Sequence, residues 1–73
     1  MANFAERIKD LRIKHGMTQT AMGEIIGTKQ ASVSTYERGK NYPEVRNLMI
    51  LTDYFGVSID YLIGRTDNPE VNR

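Results

Sequence analysis

Gln30, Ala31, Ser34, Thr35 and Arg38 are spaced so that a helix sets them along one edge. At about 100° per residue they fill an arc of about 140°, with Val33, Tyr36 and Glu37 on the other side. The glutamine amide donates and accepts in one plane, the hydroxyls do both, and the guanidinium only donates. Alanine and the threonine methyl add apolar contact. Such an edge recognises a surface by hydrogen bonding and forms no covalent bond. A solvated polar helix face carries a similar pattern, so the wheel alone leaves both readings open.

Reactive chemistry is scarce elsewhere. The chain has one histidine and no cysteine, which removes thiolate nucleophiles, thiolate metal sites and disulfides together. His15 falls at the predicted end of the first helix, where a helix-terminal or partly packed histidine is the expected reading. The carboxylates are scattered at the intervals of solvated faces. No glycine-rich phosphate loop follows a strand, and no His/Glu spacing suits a metal. The sequence predicts no catalytic residues, no metal, no cofactor and no small-molecule ligand.

The elements that must position the edge can be read from periodicity, caps and stops. Phe4, Ile8, Leu11 and His15 recur at the helical period, with Asn3 as cap and Gly16 as stop, predicting a helix over about Phe4–His15. Ile13 lies opposite that stripe and is expected at the surface. Thr18 caps a second helix, about Gln19–Ile26, with Met22, Ile25 and Ile26 apolar and Gly27 as its end. A third helix opens at Thr28 or Lys29 and runs to about Arg38, before Gly39, with Val33 and Tyr36 as its inward pair. Asn41-Tyr42-Pro43 reads as a loop in which the proline opens the first turn of a fourth helix. That helix carries Val45, Leu48, Leu51, Thr52 and Phe55 at helical spacing and stops at Gly56. Ser58 caps a short fifth helix with Ile59, Leu62 and Ile63, closed by Gly64. No segment alternates with period two. The expected fold is all-α: a compact bundle of five short helices over residues 1–64, followed by a loose polar tail over 65–73.

Composition agrees with one small soluble domain. Of 73 residues, 40% are hydrophobic and 26% charged, which argues against disorder. No apolar run approaches the ~20 residues of a membrane span, and the N-terminus lacks the apolar stretch of a signal peptide. With no cysteine, a reducing cytoplasm is the expected setting. Net charge is only +1. Residues 1–40 hold seven Lys/Arg against four Asp/Glu, and residues 41–73 three against five, so the first half is the side suited to a polyanion. An asymmetry of this size is common.

Two short helices joined by a glycine-centred turn, the second polar on one edge, form the helix-turn-helix pattern. In that arrangement the second helix fits the major groove of duplex DNA. Gln30 is suited to paired hydrogen bonds with adenine, Ala31 and the Thr35 methyl to thymine methyls, and Ser32 and Ser34 to bases or phosphates.

Met17-Thr18-Gln19, Gly27, Val33-Ser34, Tyr36-Glu37-Arg38-Gly39-Lys40 and Pro43 keep their spacing without a gap. Together they resemble the Cro/repressor (XRE) helix-turn-helix family. Gly56-Val57-Ser58-Ile59-Asp60-Tyr61-Leu62-Ile63-Gly64 is similar to that family's fifth-helix segment, so the resemblance covers about Phe4 to Gly64. Gly27-Thr28-Lys29-Gln30 looks like the lambdoid phage repressors, whose lambda repressor-like DNA-binding domain is the fold implied. The resemblance implies base-reading positions at Gln30, Ala31 and Thr35, to which the helix wheel adds Ser34. It implies phosphate or groove-edge positions at Gln19, Lys29, Ser32, Arg38 and Lys40. It further implies that Gln19 buttresses Gln30, and that Arg12 pairs with Glu37 as a structural ion pair.

Some residues depart from the family pattern. Lys29 stands where a capping serine is common and Thr28 where an aliphatic residue is common, so the third helix is expected to start a residue early, with Thr28 as cap. Ala31 removes a polar reader, so no operator sequence carries over. Gly23 stands where alanine is usual, near the third helix. The expected function is a dimeric, sequence-specific regulator of transcription, acting as a repressor on a two-fold symmetric operator in a bacterium or phage. Tyr61 and Ile63 of the fifth helix are candidates for a weak homodimer contact, against the alternative that they complete the core. A protein-interaction module or antitoxin on the same fold is the rival reading. It is disfavoured by an edge without acids and by the absence of a long toxin-wrapping tail.

Overall fold

Each helix begins where a short polar side chain can close its first turn or an extended residue precedes it. In the computed structural model, which describes residues 3–71, Asn3 Oδ1 accepts from the Glu6 amide at 2.9 Å and opens α1, Phe4–Lys14. Thr18 Oγ1 accepts from the Ala21 amide at 3.0 Å and opens α2, Gln19–Ile25. Ser58 Oγ accepts from the Tyr61 amide at 3.0 Å and opens α5, Ile59–Leu62. These bonds satisfy amides that have no partner inside the helix. Between them lie α3, Gln30–Glu37, and α4, Val45–Phe55. No strand occurs among the described residues.

The helices close on one core. Ile8, Met22, Val33, Leu51 and Leu62 are fully buried, one from each helix. Phe4, Leu11, Ile26, Tyr36 and Val57 complete it. α2 packs on α3, α1 on α3 and α5, and α4 on α5. α1 and α2 therefore form the platform that carries α3. Ile13 is exposed, as expected.

The turn between α2 and α3 depends on two glycines. Gly27 sits at φ 69°, a left-handed conformation that costs a side-chain-bearing residue free energy. Gly23 lets the backbones approach: a Cβ there would lie 2.7 Å from the Thr28 carbonyl oxygen. The Thr28 amide donates to the Gly23 carbonyl at 2.8 Å and locks that approach. Gly23→Val is expected to cost about 1–3 kcal/mol by forcing the two helices apart. The check is a urea midpoint well below wild type; an unchanged midpoint would show that the turn yields freely.

Four expectations are corrected. The third helix does not start early on a Thr28 cap. Thr28 spends its backbone on Gly23, and the extended residue before α3 is Lys29, whose carbonyl accepts from Ser32 and Val33. Its side chain makes no capping bond. Pro43 does not open α4; it is buried in the loop, and Glu44 precedes the helix. Val45 keeps helical spacing but is 68% exposed, because the first turn of α4 projects past the core.

The tail is not loose over its described part. Arg7, on α1, is 6% exposed and donates from Nη2 to Asp67 Oδ1 at 2.6 Å and from Nη1 to the Thr66 carbonyl at 3.2 Å. Its guanidinium lies 3.9 Å from the centre of the Tyr61 ring, a cation–π contact. The Ser58 amide donates to the Pro69 carbonyl at 3.0 Å. The folded unit thus runs past Gly64 to at least Pro69. Residues 72 and 73 of the expected tail, and residues 1 and 2, lie outside the described residues.

Candidate nucleic-acid interface

Val33 and Tyr36 point α3 inward, and this decides what remains outside. Gln30 and Ala31 are exposed at its first turn; Ser32, Ser34 and Thr35 are half-buried; Arg38 is exposed just after its end. Lys29 and Lys40 are exposed on either side of the helix. The residues expected to read bases are therefore brought together on one edge, flanked by cations. The Thr35 hydroxyl donates to the Ser32 carbonyl at 2.6 Å, so its hydrogen is spent on the backbone. Arg38 Nε donates to the Ser34 carbonyl at 3.3 Å, and its other N–H groups bond to no other described residue.

Behind this edge runs a chain of charged and amide groups. Arg12 Nε donates to Glu37 Oε2 at 2.6 Å and Nη2 to Oε1 at 3.0 Å, a two-pronged ion pair. Its Nη1 donates to the Met17 carbonyl at 2.9 Å. The side chains are 15% and 5% exposed, so water screens the pair little. Hydrogen bonding to Glu37 raises the Arg12 pKa further; burial opposes this and the carboxylate charge adds to it. Glu37 is the one acid of α3. Its burial leaves the outer edge without a carboxylate.

Gln19 Nε2 donates to Glu37 Oε1 at 3.1 Å, and Gln30 Nε2 donates to Gln19 Oε1 at 2.5 Å. Gln19, at the first position of α2, thus bridges the ion pair and the exposed amide. The Gln19–Glu37 bond has no signature in the sequence: the residues are 18 apart, on different helices. Arg7 escaped notice for the same reason.

No group of three or more His, Cys, Asp or Glu among the described residues is placed to hold a metal. His15 sits after α1, its Nδ1 2.9 Å from the Leu11 carbonyl oxygen and its ring edge-on to Phe55 at 4.7 Å. Two surface depressions lie around the start of α5 and the tail, lined by Ser58 and Asp60 among others, and neither touches α3. No helix among the described residues is long and apolar enough to cross a membrane. Tyr61 and Ile63 are each half-buried, and Arg7 stacks on the Tyr61 ring.

A family model described as helix-turn-helix matches residues 8–62. The chain belongs to the helix-turn-helix family, in its Cro/repressor branch. This helix-turn-helix chain is 34% identical over 67 residues to the uncharacterized transcriptional regulator YobD of Bacillus subtilis, covering 92% of the chain and 60% of YobD. It spans about 60% or less of the first curated relatives it matches. Among solved structures, the P22 c2 repressor bound to a synthetic operator superposes with a TM-score of 0.79 at 32% identity, over 86% of this chain and 96% of that one. The same fold also makes up part of the hydroxypropylphosphonic acid epoxidase of S. wedmorenis (TM-score 0.73, 28% identity, 82% of this chain and 32% of that one). Fold alone therefore does not fix function. The curated relatives that match are named as transcriptional regulators, activators and repressors.

Proposed function

We propose that this helix-turn-helix chain binds duplex DNA by sequence and regulates transcription, with α3 in the major groove. The observation that carries this is the outer edge of α3: exposed Gln30 and Ala31, cations at Lys29, Arg38 and Lys40, and the helix's one acid buried against Arg12. Gln30, Ala31, Ser34 and Thr35 face bases, Thr35 through its methyl. Gln19, Lys29, Ser32, Arg38 and Lys40 hold phosphates, and these contacts carry most of the affinity and its salt dependence. A single domain of this size covers one half-site, so a homodimer on a two-fold symmetric operator is the proposed binding form. The role is that of a repressor, by likeness to the P22 c2 repressor, working in a bacterial cytoplasm. Residues 1–64 form the DNA-binding unit, with the segment after Gly64 attached to it through Arg7.

The test is selection from a randomised duplex pool at moderate salt. Enrichment of a symmetric site with half-sites ~10 bp apart supports the reading. Retention that disappears as salt rises, with no enrichment, sinks it. On the selected site, Gln30→Ala is expected to lose ~1–3 kcal/mol and relax preference at one base pair. Lys40→Ala is expected to weaken all sequences alike and flatten the salt slope by about one. Equal losses on specific and random DNA for Gln30→Ala would remove Gln30 from the readers.

A further inference from the structure

We propose that the outer face of α4 is a self-association surface, on which a second copy of this chain packs antiparallel about a two-fold axis. The inference rests on the reading of the chain as a homodimer and names the surface that joins it. Four of the seven exposed large hydrophobic side chains among the described residues stand on this one helix: Val45 at 68%, Met49 at 53%, Ile50 at 37% and Tyr54 at 55% exposure. At about 100° per residue they share one half of α4 with the exposed Arg46 and Asp53. Leu48, Leu51, Thr52 and Phe55 occupy the other half and face the core. The outer face shares no residue with the reading edge of α3. It is also distinct from α5, whose Tyr61 ring is already covered by Arg7.

The order of the six outer residues says what covers them. Arg46 and Asp53 lie on the midline of the face, about 10.5 Å apart along the helix axis. The midpoint between them falls between Met49 and Ile50, which flank the midline on opposite sides. Two copies set antiparallel about an axis at that midpoint place Arg46 of each opposite Asp53 of the other. Met49 then meets Met49 of the other copy on one flank, and Ile50 meets Ile50 on the other. A two-fold interface repeats every contact in this way. A parallel pair would instead set arginine on arginine and aspartate on aspartate. A strongly acidic or basic partner, nucleic acid included, would meet a like charge at one end of the midline. The face is therefore complementary to itself. One helix face falls short of the ~1,600 Å² of a standard interface, so the pair is a weak one.

Charge reversal tests this on the free protein. Sedimentation of the wild type up to about 1 mM is expected to show a monomer–dimer equilibrium. Asp53→Arg leaves only arginines on the midline, and Arg46→Asp only aspartates. Each alone is expected to weaken dimerisation at least about tenfold. An equal mixture of the two is expected to restore it, because every midline charge then faces its opposite in the other chain. Each change places its new charge at the helix end that favours it, so circular dichroism is expected to show both variants folded. A wild type that stays monomeric, association unchanged in Asp53→Arg, or a mixture no tighter than its parts overturns the proposal. The second of these outcomes keeps the homodimer and moves it to another surface. A chain that pairs as described and yet selects no operator keeps this interface and loses the DNA reading.

Discussion

Arg12→Ala is expected to remove about 3–5 kcal/mol of stability, the loss typical of stripping one partner from a buried ion pair. The Glu37 side chain is 5% exposed and would keep only the Gln19 amide as a donor. The Met17 carbonyl would also lose its guanidinium donor. A 73-residue domain holds roughly 4–11 kcal/mol in all, so the variant is expected near the edge of folding at room temperature. Urea unfolding followed by circular dichroism measures this. A midpoint equal to wild type would mean that the pair contributes nothing. Replacing both charges, Arg12→Met with Glu37→Leu, is expected to restore most of the loss, because no stranded charge remains.

Arg7→Ala is the second large effect. It deletes a long buried stem, the guanidinium stacked on Tyr61 and both donors to the tail, and about 3 kcal/mol is expected. Arg7→Met keeps the stem and loses the charge, and is expected to cost about half as much, 1–2 kcal/mol. The Arg7–Asp67 pair itself adds little to this sum, since the Asp67 side chain is 73% exposed. Limited proteolysis reports the tail directly. Cleavage within residues 65–71 is expected to accelerate in both variants; a tail equally resistant in wild type and Arg7→Met would show that the Ser58–Pro69 bond holds it alone.

What could be read in advance followed from how local its cause was. Asn3, Thr18 and Ser58 act within three residues of themselves, and all three cap as predicted. The inward faces of α1, α2 and α3 follow from spacing alone. The start of α3 misled because Thr28 is a good capping residue whose backbone is claimed by Gly23, a neighbour on another helix. Val45 has the right spacing but stands beyond the core's edge, and spacing carries no information about where a core ends. The outer edge of α3 was legible for the same local reason that the helix was. The bond between Gln19 and Glu37, and the seat of Arg7, join residues far apart in the chain; a single sequence carries no mark of either.

The seat of Arg7 also bears on how long the folded state lasts. It joins positions 60 apart, whereas α2 and α3 meet across a turn. Contacts between sequence neighbours form early and cheaply, and those closing the longest loop form last. An interaction absent from the folding barrier leaves the folding rate alone and slows unfolding instead. The staple between α1 and the tail is therefore expected to act as a brake on opening. Its loss would leave refolding as fast as before and shorten the lifetime of the native state.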